Sequence, residues 1–542
     1  MKLNEKKQRW IKRINEINDK NLIDDQQTET LSLMVKSADP ENFTVAEECI
    51  KTLIRSRLIL GLNQDQSVAF EEIVNFLENP QNSAIILKGY AGTGKTYLVK
   101  KILEYITYTT DNKSIGISAP TNKAVGVLYN SSLQSGMNGY IFEDIFDMKK
   151  SIVYSTIHKM LGLKEVITDN GDQLFMLDTF NKSNLLKYDY LVVDEVSMLD
   201  DKICHDIMKF SKKLKIIFMG DPAQIPPVNK LDSIPFQKNS PYDFKTVELK
   251  QIMRQKGDHP VVDLSFKIRE NLFRKQPLPV LNTELNSNGN GIIFIDSQTE
   301  KSKIKGLLKE YFICDNYKNN SDYFKVIAWK NKTINYINNV ARELMYGENH
   351  ESNPYFPGES LIVMKPIFKY NIDTGTYQIV FNTSEDLKVL DVKIVDQLFH
   401  INNHWVTLKG YELKVNAYNP KNPEKPYTNT IFVVHKDSLK EYENVLKMTK
   451  DYAKKTKDSK EWAKYYTVLK WSANVAYSYA ITAHKSQGST YKNALILEED
   501  IDQNNKILER NRIKYTVYSR VTDKLFVLRN NYPSLVYSSN KN

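Results

Sequence analysis

Gly89-Tyr90-Ala91-Gly92-Thr93-Gly94-Lys95-Thr96 decides how this chain is read. In front of it, Ser83-Ala84-Ile85-Ile86-Leu87 is a short apolar run, the pattern of a buried parallel strand. Behind it, Tyr97-Leu98-Val99 and Ile102-Leu103 set apolar residues at helical spacing. A strand, a glycine-rich loop and a helix in that order are the context that a phosphate-binding loop requires. Gly89, Gly92 and Gly94 permit backbone conformations that a side chain would block, so successive N–H groups can converge on phosphate oxygens. The helix N-terminus adds partial positive charge. Thr93 belongs to the same cradle, Lys95 would reach the β- and γ-phosphates, and Thr96 would hold Mg²⁺ through its hydroxyl. The bland alternative is a glycine-rich turn that binds nothing. The flanking strand and helix favour a nucleoside triphosphate.

Outward from the loop the grammar alternates strand and helix, which predicts an α/β layer fold. Ile115-Gly116-Ile117-Ser118-Ala119 is a strand that ends in Pro120-Thr121. Tyr190-Leu191-Val192-Val193 ends in Asp194-Glu195, and Lys215-Ile216-Ile217-Phe218-Met219 ends in Gly220-Asp221-Pro222-Ala223-Gln224. Polar residues at strand C-termini are where open α/β sheets bind ligands. An acidic pair after a strand can also be a plain helix cap. Downstream of a phosphate loop it fits NTPase chemistry, with Asp194 holding Mg²⁺ and Glu195 polarising the attacking water. Between Leu163 and Met176 two alternating runs flank Asp169-Asn170-Gly171-Asp172, and Asn-Gly is a strong hairpin signal.

The chain divides by pattern into a helical extension (1–60), a first α/β domain (61–240, with the hairpin at 164–178) and a second α/β domain lacking a phosphate loop (241–351 and 475–542). An inserted β module followed by two lysine-rich helices fills 352–474. Trp10, Ile14 and Ile17 share a helical face in the extension, which is expected to pack on the main body; a nucleic-acid-binding appendage is its alternative. The 542 residues are 41% hydrophobic and 26% charged, so long disorder is not expected. A net charge of +10 makes a polyanionic partner plausible. Cys49, Cys204 and Cys314 lie far apart, so neither a disulfide framework nor a zinc site is expected. With no apolar run near the ~20 residues of a membrane span and no signal-type leader, the reading is a soluble cytoplasmic protein without a membrane partner.

The assembled motifs resemble those of superfamily 1 helicases. Leu62-Asn63-Gln64-Asp65-Gln66 is similar to the adenine-reading Q motif, with Gln66 as its glutamine. Ala119-Pro120-Thr121 and Ser155-Thr156-Ile157-His158 resemble motifs Ia and Ib, which implies that Pro120, Thr121 and His158 touch single-stranded DNA. Val193 to Met198 matches motif II, and Gly220 to Val228 matches motif III, making Gln224 a γ-phosphate sensor. Leu249 to Gln255 resembles motif IV and offers Arg254 to the phosphates. Thr482-Ala483-His484-Lys485-Ser486-Gln487-Gly488-Ser489 is close to motif V, implying DNA contacts for Thr482, His484 and Lys485 and a nucleotide role for Gln487 and Gly488. Tyr515 to Arg520 resembles motif VI, with Arg520 as the arginine finger.

Within that superfamily the likeness is greatest to the Dda-like group of the 5′-to-3′ branch, related to RecD, over residues about 60–530. It rests on Gly358 to Lys369 and Ser155 to Leu161. The resemblance implies two RecA-like domains, an SH3-like β insert, a helical tower, and a hairpin wedge with Phe175 near its tip. It further implies ATP and Mg²⁺ as cofactors, single-stranded and fork DNA as substrates, and a monomer acting in replication, recombination or repair beside replication or single-strand-binding proteins. A phage-type or bacterial cytoplasm follows from the same likeness. An RNA helicase of the same superfamily and a P-loop switch that does not translocate remain the alternatives.

Overall fold

A computed structural model of the chain describes residues 3–529, apart from 82, 111–112, 134–139, 142–151, 168–172, 178–182, 228–229, 252–258, 273–281, 372–375, 402–403 and 418–425. Three helices come first, Leu3–Asp19, Asp25–Ser37 and Pro40–Ile59. The second starts at a capping box in which Asp24 and Gln27 exchange hydrogen bonds, and the third at Asp39 with a proline in its first turn. Trp10, Ile14, Ile17, Phe43, Ile50, Ile54 and Leu58 are buried, in one apolar core with Ile85, Leu98, Ile102 and Ile117. The N-terminal helices therefore share the core of the α/β body.

That body holds a seven-stranded parallel sheet. Its order is Tyr140–Ile141, Ile152–Thr156, Ile115–Ala119, Tyr190–Val193, Lys215–Gly220, Ala84–Gly89, Lys245–Leu249. Both faces are covered, so the central strands are continuous apolar runs rather than alternating ones. Strand Lys245–Leu249 lies beside the phosphate-loop strand, Leu87 opposite Val247. The expected boundary at 240 is thereby corrected, because the first sheet closes only with residues beyond it. The pattern of this strand, exposed except at Val247 and Leu249, is that of an edge and hides its parallel pairing.

A six-stranded sheet follows in the order Glu284–Leu285, Gly291–Asp296, Val521–Arg529, Tyr491–Leu497, Phe324–Ala328, Ala480–Thr482. It is parallel except at its first pair. The fold is thus mixed α/β with parallel sheets.

A third, five-stranded sheet is antiparallel: Tyr427–Val434, His404–Ala417, Asp386–Ile401, Ser360–Val363 and Val475–Tyr477. Val475–Tyr477 pairs with Ser360–Val363, so the β insert keeps residues that had been expected to rejoin the second α/β domain at 475. Helices Leu439–Thr456 and Ser459–Leu469 stand on this sheet, where Tyr442, Val468 and Trp471 pack with Leu408 and Val434. A separate hairpin pairs Leu163–Ile167 with Gln173–Leu177, Glu165 opposite Phe175; the side chain of Phe175 lies outside the described residues. Among the described residues no helix is long and apolar enough to cross a membrane.

Candidate nucleotide site and the cleft between two sheets

The loop after strand Ala84–Gly89 has the backbone that its glycines predict. Gly92 and Gly94 take positive φ of 80° and 79°, where an L side chain would be strained. At Gly89 the reason is space, since a Cβ would come within 2.8 Å of the Lys95 side chain and of Thr93 Oγ1. Helix Lys95–Thr109 begins directly at Gly94 without a side-chain cap, leaving its first amides to an anion. Lys95 Nζ donates to the carbonyls of Gly89 (2.5 Å) and Tyr90 (3.2 Å), and Thr93 Oγ1 donates to Tyr90 O (2.8 Å). Thr96 follows half-buried in the first turn.

Gln66 is fully buried and committed to the backbone. Its Oε1 accepts the Asn63 N–H (3.2 Å), and its Nε2 donates to Thr93 O (3.1 Å). Both ends of the amide of Gln66, the glutamine expected to read adenine, are thus bonded to backbone.

Asp194 ends strand Tyr190–Val193 and accepts the Glu195 N–H (2.7 Å). Burial, with the Glu195 charge adding to it, pushes its carboxyl up to about 7; Lys95 and Arg520 pull the other way. Glu195 itself sits at φ 53°, ψ 40°, a left-handed conformation uncommon for a residue with a Cβ.

The opposite wall reaches across. Arg520 Nη2 donates to Gln224 Oε1 (2.6 Å), and its guanidinium stands 3.4 Å from Glu195 Oε1. Gln487 Nε2 donates to Ile225 O (2.9 Å), and Thr516 Oγ1 accepts the Ile225 N–H (3.1 Å). Asp221, fully buried, takes the Ala91 N–H (3.0 Å) and the Tyr515 hydroxyl (2.6 Å) on Oδ2, and the Ala223 N–H (2.9 Å) on Oδ1. The Arg269 guanidinium lies 4.2 Å over the Tyr90 ring. Lys95, Asp194, Glu195, Gln224 and Arg520 are thus brought to one cleft. Arg254 lies outside the described residues.

Asp221, Tyr515 and Arg269 had no role in the sequence reading. The first two sit inside quoted motifs, so their motif membership was the available signal; Arg269 carries none.

Of the residues expected at DNA, Thr121 lies where the two walls meet. Thr121 caps helix Asn122–Leu133 by accepting the Ala124 N–H (3.3 Å). Gly488, at φ 72°, is so close that a Cβ there would sit 3.2 Å from Thr121 Oγ1. Gly488 therefore touches motif Ia, and Gln487 touches motif III; both had been grouped with the nucleotide. Pro120 is half-buried beside Thr121, and His158 is exposed on the short helix Ile157–Leu161. Thr482 caps the next turn through the Lys485 N–H (3.2 Å). Burial lowers the pKa of both His484 and Lys485. Lys123 ties the three sheets together, donating to Asp322 (2.9 Å) and Asp386 (3.0 Å).

The donor set fits Mg²⁺. Asp194 is a carboxylate whose charge is under-compensated, and Thr96 offers a hydroxyl from the loop. Among the described residues no group of three or more His, Cys, Asp or Glu side chains could cage an ion.

Residues 71–230 match the AAA domain family. The chain is 27% identical over 512 residues to an uncharacterised protein of Acanthamoeba polyphaga mimivirus, covering 85% of this chain and 99% of that protein. It is 26% identical over 502 residues to the RecBCD enzyme subunit RecD of Buchnera aphidicola subsp. Schizaphis graminum (strain Sg), covering 82% and 70%. The ATP-dependent DNA helicase dda of Enterobacteria phage T4 is 24% identical over 455 residues, covering 80% and 92%.

Proposed function

As the chain is a superfamily 1 helicase relative, related to RecD and Dda, we propose that it is an ATP-dependent DNA helicase that moves along single-stranded DNA and opens duplex at a fork. The observation that carries this reading is Arg520, which crosses from one sheet to Gln224 and Glu195 of the other. An arginine supplied across a cleft stabilises γ-phosphate charge only while the cleft is closed, so hydrolysis and domain motion become one event. In this reading the two parallel sheets are RecA-like motor domains. Gly89, Gly92, Thr93, Gly94 and Lys95 cradle ATP, Thr96 and Asp194 hold Mg²⁺, which neutralises phosphate charge, Glu195 orients water, and Arg254 joins Arg520 at the phosphates. Gln66 serves the site indirectly, through Thr93.

Thr121, Pro120, His158, Thr482, His484 and Lys485 would line the strand's path, where phosphate neutralisation and stacking give sequence-independent grip. The direction is 5′ to 3′, the antiparallel sheet is an SH3-like insert bearing a helical tower, and the hairpin that pairs Leu163–Ile167 with Gln173–Leu177 is the wedge. Its work is to overcome stacking of ~1.4 kcal/mol per base-pair step. Replication, recombination or repair is the setting that such an activity serves.

ATP turnover measured with single-stranded DNA, with RNA or with neither separates this reading from an RNA helicase and from a switch. DNA should stimulate turnover most. Forks with a 5′ or a 3′ loading strand then test direction, and Lys95→Ala should bind DNA without unwinding it. Unwinding by Lys95→Ala would overturn the proposal. Phe175→Ala should lose unwinding more than DNA-stimulated ATPase, and equal losses would remove the wedge role.

A further inference from the structure

Four side chains of one wall hold a single loop of the other. Asp221 to Ile225 follows strand Lys215–Gly220, and among the described residues its partners on the other wall lie between Gln487 and Arg520. Tyr515 donates to Asp221, Thr516 accepts from Ile225 N–H, Gln487 donates to Ile225 O, and Arg520 donates to Gln224. Three of the four stand on helix Ile507–Tyr518 or just beyond its end. Asp221 also grips the phosphate loop through Ala91 N–H.

We propose that Tyr515 is a positioning residue for ATP hydrolysis: by capping Asp221 it registers helix Ile507–Tyr518 against the loop, so that Arg520 meets Gln224. Tyr515 is buried, and its hydroxyl bonds a buried carboxylate whose pKa burial already raises. A hydrogen bond to a charged, buried acceptor fixes geometry strongly, because no water replaces it. The backbone from Tyr515 to Arg520 is short and tied down. Ser519 N–H donates to Tyr515 O (3.1 Å), and Arg520 O accepts from Tyr491 N–H (2.8 Å). Displacement at Tyr515 therefore passes to Arg520.

The inference rests on the hydrolysis assigned above, and its test is separable from it. DNA-stimulated turnover by the unaltered chain carries the functional reading; the ratio of Tyr515→Phe to it carries this one. Tyr515→Phe keeps the buried ring and removes only the hydroxyl. We expect kcat for DNA-stimulated hydrolysis to fall about tenfold with KM for ATP changed less than about twofold, the split of a group that serves the transition state. In a Gln224→Ala background the same change should have no further effect, because the contact it positions is gone. Thr516→Val, at the far end of the loop, should lower kcat in the same way. Unchanged kcat in Tyr515→Phe, or an undiminished loss in the Gln224→Ala background, would overturn the proposal.

Discussion

The two parallel sheets build the same strand-to-helix turn and use it oppositely. After strand Ala84–Gly89 the turn is glycine-rich, with Gly92 and Gly94 in the left-handed region, and its helix starts uncapped. After strand Phe324–Ala328 there is no glycine. The amides of Trp329 and Lys330 both donate to Asp500 Oδ2 (2.7 Å each), and Thr333 Oγ1 donates to Oδ1 (2.6 Å). Helix Asn331–Tyr346 thus has its positive end neutralised by a carboxylate of the chain itself. The anion that the first turn is shaped to take from outside, the second supplies internally. One sheet can exchange its anion; the other cannot, and is left to present side chains across the cleft.

The largest test of this division is Arg520→Ala. It leaves the exchangeable turn intact, so ATP should still bind, whereas turnover should drop roughly 10³–10⁵-fold. Nucleotide binding by fluorescence beside steady-state ATPase reads both. Loss of binding together with turnover would mean that the two sheets do not divide the work in this way.

Next comes the internal anion. Asp500→Ala strands two amides and a hydroxyl, and should destabilise the fold by about 2–4 kcal/mol; chemical denaturation measures it. Asp500→Asn keeps one acceptor oxygen and should lose less.

How much of this was legible in the chain depends on the range over which each signal acts. The phosphate loop, Asp194-Glu195 and the strand leading to Asp221 were readable, because glycine spacing, apolar runs and acidic pairs are local. Helix Asp25–Ser37 carries an equally local mark, the Asp24–Gln27 capping box. The bond from Gln66 to Thr93, 27 residues on, was not readable, because buried amides look the same in sequence whichever group they bond. Asp500 bonds residues about 170 positions away, and Tyr515 bonds one 294 positions away. Lys245–Leu249 reads as an edge strand, and only pairing assigns it to the first sheet.

The two aspartates sharpen the comparison at a finer scale. Asp500 receives three donors; Asp194 is raised to about 7 because burial and Glu195 outweigh Lys95 and Arg520. A folded pKa above the ordinary 3.8 means that the protonated form is favoured in the fold. The stability from this group is therefore full below the unfolded value and is lost as pH rises through about 7, unless a cation replaces the proton. In the proposed reading Mg²⁺ competes with that proton, so its apparent affinity should weaken by about tenfold per pH unit below the pKa of Asp194. Titrating Mg²⁺ with nucleotide at pH 6 and pH 8 measures this, and Asp194→Asn should abolish the dependence.

The smallest effect belongs to Gln487. Its amide makes one hydrogen bond across the cleft, to Ile225 O, while Thr516 holds the N–H of the same residue. Removing it with Gln487→Ala leaves the loop half-held and should cost about 1 kcal/mol of closed state. That loss acts on an equilibrium between open and closed cleft rather than on the phosphate cradle. It should therefore lower DNA-stimulated turnover several-fold and leave nucleotide binding in the absence of DNA unchanged. A loss equal to that of Arg520→Ala would instead place Gln487 at the phosphates, the role that motif V implies.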